Sequence, residues 1–176
     1  MKAVFLDRDA TINVGVPKYE RVDSLDKVEL LPQTLQALRL LATMEFKVFF
    51  VTNQGGIGEG LIGMAEFKAI NNKVLDLISP SGVKITKTYL CPHGYDDDCA
   101  CRKPKPKLLL DAANEFDIDL RSSYMIGDRP TDVQTGLNAG TKTILVMTGH
   151  KTAVHDQANY IAADLFEAVK YIAKNH

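Results

Sequence analysis

Apolar residues in this chain fall into two kinds of run that alternate along it. Short continuous blocks, Ala3-Val4-Phe5-Leu6, Val48-Phe49-Phe50-Val51, Thr88-Tyr89-Leu90, Tyr124-Met125-Ile126 and Thr143-Ile144-Leu145-Val146, read as buried strands. Between and after them apolar positions recur at helical spacing. Leu35, Leu38, Leu41 and Ala42 form one set, Phe67, Ile70, Val74 and Ile78 a second, and Leu108 to Phe116 a third. The last helix is expected over Ala163 to Ala173, with Leu165, Phe166, Val169 and Ile172 as its stripe. Pro32 suits the first turn of the first helix, and Pro130 opens a short helix for which Gly140 is placed as the C′ glycine. Strands that are apolar throughout have no solvent face, so the pattern predicts an α/β fold: a parallel sheet with helices on both faces. Ligands of such sheets lie beyond the carboxyl ends of the strands. Asp7, Thr52, Cys91 and Asp128 each follow an apolar block.

Composition narrows the choices. The 176 residues suit a single domain, 1–176, that is 45% hydrophobic and 24% charged, as ordinary globular proteins are. A net charge of -1 provides no global field for nucleic acid or an anionic membrane, so anion binding has to be local. No apolar run approaches the roughly 20 residues of a membrane span. Met1-Lys2 leads into only four apolar residues before Asp7, Arg8 and Asp9, which is not a signal peptide. A cytoplasmic protein acting as a monomer is expected. Its three cysteines lie within eleven positions, at 91, 99 and 101, which in a reducing compartment favours a metal over disulfides. Cys91, His93, Cys99 and Cys101 form Cys-x-His-x5-Cys-x-Cys, a closed tetrahedral Zn²⁺ set with no open position for a catalytic water. Zinc there would fix a loop that presents Arg102 and Lys103.

Asp7-Arg8-Asp9-Ala10-Thr11 follows the first strand. Read alone, its carboxylates fit a solvated loop as well as a site. "FLDRDATIN" resembles the first motif, Asp-x-Asp-x-Thr, of the haloacid dehalogenase superfamily. The superfamily's other motifs follow in order: Thr52 in "FFVTNQGGIGEG", Lys103 in "CRKPKPK", and Asp128 with Asp132 in "MIGDRPTDVQTG". The resemblance implies a three-layer Rossmann-like fold of haloacid dehalogenase type, with no large cap domain and with a zinc-binding loop inserted. It also implies a Mg²⁺-dependent phosphatase acting on a small phosphorylated metabolite. Asp7 would be the nucleophile and Asp9 the proton donor and acceptor. Thr52 and Lys103 would hold the phosphoryl oxygens, and Asp7, Asp128 and the Asp9 backbone carbonyl would bind Mg²⁺. Asp132 and Thr11 would stand behind these. The residues allow plainer readings too: Thr52 as a strand-end hydroxyl, Lys103 as one of a basic surface group, and Asp132 as a first-turn acid favoured by the helix dipole. The superfamily has glycine where this chain has Ala10, and a methyl group there would crowd the turn if φ is positive.

Gln54-Gly55-Gly56-Ile57-Gly58-Glu59-Gly60 lacks the Gly-x-Gly-x-x-Gly order of a dinucleotide site. It reads as a phosphate-facing loop or a plain connection, with Asn53 and Gln54 as hydrogen-bond donors to substrate. The cysteine loop running into "RKPK" is similar to that of two phosphatase groups. The five-residue gap between His93 and Cys99, and "GDRPTDVQ", lean to the histidinol-phosphate type. "FLDRDATINV", "VTNQGGIGEG" and "AGTKTILVMTGHKT" lean to the heptose bisphosphate type, which is favoured. By that resemblance Arg102 would meet the substrate's second phosphate or sugar, and Arg129 the phosphate group. Specificity would rest on three loops: 13–20, 55–60 and the zinc loop. A zinc-stabilised nucleic-acid or partner-binding domain without activity is the contrasting reading. The near-neutral charge and the complete acidic set oppose it.

Overall fold

The computed structural model of the chain describes residues 1–14, 25–149 and 157–176. Six parallel strands form one sheet: β1 Ala3–Leu6, β2 Lys47–Asn53, β3 Ile85–Cys91, β4 Tyr124–Gly127, β5 Lys142–Val146 and β6 Tyr160–Ala162. Their order is β3-β2-β1-β4-β5-β6, so the winding reverses between β1 and β4. The helices are α1 Thr34–Ala42, α2 Gly55–Gly58, α3 Met64–Ile78, α4 Lys107–Phe116, α5 Pro130–Ala139 and α6 Leu165–Asn175. Among the described residues no helix is long and apolar enough to cross a membrane.

The period of two in the strands divides the core. Val4, Leu6, Val48, Phe50, Tyr124 and Ile126 point to one face and pack with α1, α3 and α6. Ala3, Phe5, Phe49, Val51 and Met125 point to the other, against α4. There Phe49 stacks on Phe5 at 5.5 Å between ring centroids and meets Phe116 at 5.2 Å. On that same face α5 lies tight against β4 and β5. A Cβ on Gly136 would come within 2.9 Å of Met125 Cβ.

Register places the ends of the strands side by side. Leu6 pairs with both Phe50 and Ile126, and Asn53 pairs with Cys91. Asp7 donates its N–H to Ile126 O at 2.9 Å, so the first acidic residue stands at the reversal in winding, where ligands of such sheets bind.

Four sequence expectations need revision. The three-residue β6 is a sixth strand, too short to announce itself by composition. The third strand begins at Ile85, earlier than its apolar block suggested. Pro32 precedes α1, whose cap is Gln33 in a left-handed conformation, φ 63°. The glycine-rich segment is a single helical turn, α2, and not an open loop. Its glycines answer to packing: Gly58 N–H donates to Pro92 O at 2.7 Å, and a Cβ on Gly58 would lie 2.6 Å from Gly94 N. Of the first of the three specificity loops, positions 15–20 lie outside the described residues, as do positions 150–152 of the tail motif.

Gly58→Ala should therefore separate α2 from the cysteine loop. A destabilisation of about 1–3 kcal/mol is expected in urea titrations, because the clash is with backbone rather than with a movable side chain.

Candidate active site and cysteine cluster

Three elements deliver the acidic residues. Asp7 leaves the end of β1, Asp128 follows β4, and Asp132 sits in the first turn of α5, where its Oδ2 accepts the Arg129 N–H at 3.0 Å. One oxygen each of Asp7, Asp128 and Asp132 lies within 4.8 Å of the others, and all three side chains are buried. Gly127 and Gly149 permit this closeness, since a Cβ on either would collide with Asp132 or Asp128 respectively.

Lys103 enters the cluster from the far end of the cysteine loop. Its Nζ reaches Asp7 Oδ1 at 2.8 Å, Asp132 Oδ1 at 2.6 Å and Val51 O at 2.9 Å, and the residue is only 5% exposed. Asn53 clamps its backbone, donating from Nδ2 to Lys103 O at 3.2 Å and accepting the Lys103 N–H at 3.0 Å. The peptide bond from Lys103 to Pro104 is cis. Asp128 is different: neither of its carboxylate oxygens has a hydrogen-bond partner among the described residues. Arg129, with a mostly exposed side chain, approaches it only to 3.8 Å.

Charge explains the protonation pattern. Burial pushes the Asp7 carboxyl up to about 6, with Lys103 pulling it down and Asp132 adding to the rise. Burial, then the neighbouring charges of Asp7 and Asp132, push Asp128 up to about 8. Burial works against the Lys103 ammonium, but Asp132 and Asp7 outweigh it and hold it charged above the usual lysine range. Fully ionised, three carboxylates and one ammonium would carry two negative charges, the amount that one divalent cation neutralises. Oxygen donors of this kind suit a hard ion such as Mg²⁺.

Asp9 belongs to a separate network. Arg8, 1% exposed, forks onto it with Nε at 3.1 Å and Nη2 at 2.9 Å; Asn13 Nδ2 adds 3.0 Å and Gln54 Nε2 adds 2.8 Å. Burial raises the Asp9 carboxyl, yet Arg8 and these donors prevail and hold it below the usual carboxylate range. Thr52 Oγ1 accepts from Gln54 Nε2 at 2.9 Å. Thr11 is fully buried, and its hydroxyl has no partner among the described residues. The condition attached to Ala10 is met: its φ is 62°. The turn closes all the same, with Ala10 N–H on Asn13 O at 2.8 Å and Thr148 Oγ1 donating to Ala10 O at 2.6 Å.

The cysteine cluster adjoins this site. Cys91 Sγ lies 3.6 Å from both His93 Nδ1 and Cys99 Sγ, and His93 Nδ1 lies 3.2 Å from Cys101 Sγ. Tetrahedral Zn²⁺ with bonds of about 2.0–2.3 Å has ligand-to-ligand edges of about 3.5–3.8 Å; the two 3.6 Å edges match, the 3.2 Å edge would open slightly, and all four ligand atoms lie within 4.8 Å of one another. Burial and the neighbouring Cys101 push the Cys91 thiol up to about 12, so holding a metal here would mean losing that proton. Arg102 extends from the loop with Nη1 on His93 O at 3.1 Å and its guanidinium 4.9 Å from the Tyr95 ring centre.

Thus Asp7, Asp128, Asp132 and Lys103 converge, and Thr52 and Asp9 are joined through Gln54. Asn53 and Gln54, expected to donate to substrate, also donate to protein atoms: Asn53 Nδ2 to Lys103 O, and Gln54 Nε2 to Asp9 Oδ2 and Thr52 Oγ1. Sequence reasoning passed over Arg8 and Asn13. Their only sequence trace is position: Arg8 between two acids, and Asn13 four residues after Asp9, one short loop away.

Comparison with known proteins gives a consistent picture. A family profile described as HAD-hydrolase-like matches residues 100–168. The D-glycero-beta-D-manno-heptose-1,7-bisphosphate 7-phosphatase of Pasteurella multocida (strain Pm70) is 36% identical over 97% of this chain and 96% of the relative. The histidine biosynthesis bifunctional protein HisB of Blochmanniella floridana is 37% identical over 81% of this chain but only 40% of its own length. Among solved structures, the D,D-heptose 1,7-bisphosphate phosphatase from B. bronchiseptica, complexed with magnesium and phosphate, superposes with a TM-score of 0.90. It is 32% identical, with both chains fully covered.

The raised carboxyls of Asp7 and Asp128 carry a stability signature. A carboxyl whose folded-state pKa is raised contributes stability that is complete below its unfolded value of 3.8 and is lost as pH rises through about 6 for Asp7 and about 8 for Asp128. Without divalent cations, urea stability should fall between pH 4 and 8 by on the order of a few kcal/mol. Asp128→Asn should flatten the upper half of that slope.

Proposed function

The chain belongs to the haloacid dehalogenase-like hydrolases, in the family of the heptose bisphosphate phosphatases, and we propose that it removes the 7-phosphate from D-glycero-D-manno-heptose 1,7-bisphosphate. The observation that carries the reading is the convergence of Asp7, Asp128 and Asp132 on the buried Lys103 ammonium, at the point where the strand order reverses. A catalytic carboxylate there is held close to a cation and beside Asp128, whose oxygens have no hydrogen-bond partner among the described residues. Asp7, Asp128 and the Asp9 carbonyl would hold Mg²⁺, whose charge would let a carboxylate approach a phosphate dianion.

In this reading Asp7 attacks phosphorus in line, the bond to the sugar oxygen breaks, and an aspartyl-phosphate forms. Asp9, ionised in the free site, takes up a proton as the phosphate dianion binds beside it, gives that proton to the departing sugar oxygen and later takes one from the water that hydrolyses the intermediate. Thr52 and Lys103 stabilise the equatorial oxygens. Asp132 supports Lys103, as their 2.6 Å ion pair favours. Arg102, fixed between the His93 carbonyl and Tyr95, meets the phosphate that is not transferred, and Arg129 stands near the one that is. Cys91, His93, Cys99 and Cys101 would hold structural Zn²⁺, which would order the loop that carries Arg102. The length of that loop supports histidinol phosphate as a second candidate substrate.

Three measurements test this. Asp7→Asn should lower Mg²⁺-dependent turnover on the order of 10³-fold or more with the fold intact by circular dichroism, and retained turnover would sink the nucleophile. Metal analysis should find about one zinc per chain, surviving mild Mg²⁺ chelation and lost in Cys101→Ser. Across heptose bisphosphate anomers, histidinol phosphate and other sugar phosphates, kcat/KM should be highest for a heptose bisphosphate. A higher value for histidinol phosphate would reverse the assignment.

A further inference from the structure

Four donor hydrogens converge on the Asp9 carboxylate, two on each oxygen: Arg8 Nε and Asn13 Nδ2 on Oδ1, Arg8 Nη2 and Gln54 Nε2 on Oδ2. A carboxylate offers about four acceptor positions, so in the ionised form the set is full, and one donor turns away when Asp9 takes up the proton it delivers. Three of the donors come from the turn that Asp9 itself belongs to. Gln54 is the outsider, 45 residues away on the segment after β2.

The same Gln54 nitrogen also donates to Thr52 Oγ1, at 2.9 Å. An amide nitrogen carries two hydrogens, and both are thereby committed. This fixes the hydroxyl's role as well. Thr52 Oγ1 accepts from Gln54, so its single hydrogen must be directed at another acceptor. Gln54 is itself anchored, with its backbone N–H on Cys91 O at 2.8 Å, at the end of β3. The side chain thus bridges two groups of different duty from a backbone tied to the sheet.

We propose that Gln54 is a positioning residue for both Asp9 and Thr52. One amide sets the direction of the proton-transferring carboxylate and frees the hydroxyl hydrogen for a phosphoryl oxygen. Proton delivery to the leaving group and phosphoryl binding are then geometrically linked before substrate arrives. This rests on the phosphatase reading above, in which Asp9 transfers the proton and Thr52 meets the phosphoryl group.

Gln54→Met tests it, because it preserves length and approximate volume and removes both donors. Two monoesters separate the effects. The 4-nitrophenolate of 4-nitrophenyl phosphate departs without a proton, whereas the alkoxide of a sugar phosphate needs one. The loss in kcat/KM should be about 10-fold or more larger on the sugar phosphate than on 4-nitrophenyl phosphate, out of the ~10²–10⁴-fold that a general acid supplies. Inhibition by inorganic phosphate should weaken in the same variant. Equal losses on the two esters, or no loss, would overturn the proposal, since a merely structural role does not distinguish leaving groups. Asp9→Asn is the reference. It should show the full leaving-group dependence, and if it shows none, the fault lies with the acid–base role of Asp9 and the positioning role falls with it.

Discussion

The Lys103 ammonium, buried and shared between Asp7 and Asp132, is the constraint around which the molecule is arranged. A charge of either sign at that depth would be costly alone. Together the two carboxylates and the ammonium nearly satisfy one another, and the Val51 carbonyl takes a further ammonium hydrogen. What stays unbalanced is Asp128, and that imbalance is what gives the site an appetite for a cation. The sheet supplies Asp7 and Asp128 from adjacent strands β1 and β4, α5 supplies Asp132 through its first turn, and the cysteine loop supplies the lysine.

Much of this could be read in the chain before its coordinates. Continuous apolar blocks specified β1, β2, β4 and β5, because a strand buried on both faces cannot hide its composition, and a shorter block marked the half-buried β3. Asp7, Thr52, Lys103 and Asp128 were legible from strand ends and motif order. Asp132 was legible as an acid near a helix start, standing behind the residues that would hold the metal and the phosphoryl group. Cys91, His93, Cys99 and Cys101 were legible because soft donors clustered in a polar loop have few other uses.

What escaped was of another kind. Arg8 is among the largest fully buried side chains, though arginine is seldom buried. Its burial depends on Asp9, on the Phe67 ring 5.3 Å from its guanidinium, and on the closing turn, which no local pattern announces. The amides of Asn53 and Gln54 looked like substrate donors because their positions are right. Their partners lie 50 and 45 residues away, and only the fold brings those into reach. The glycine-rich segment was read as a phosphate-facing loop or a plain connection, and Gly58 within it is a point of backbone contact. Ala10 sits in the left-handed region that the family gives to glycine, and its turn is held by bonds from Asn13 and Thr148 that local sequence does not reveal.

The Asn53 clamp bears on how such a loop can change over generations. Cys91 is fixed because it is the last residue of β3, and the backbone of Lys103 is fixed because Asn53, the register neighbour of Cys91, holds both the N–H and the C=O of Lys103. Both ends of the loop are thus referred to the sheet and not to the residues between them. Insertion or deletion between His93 and Cys99 alters the span while leaving the lysine where it was. Loop length is therefore free to drift and to be selected for new substrates, while the chemistry beneath it stays constant.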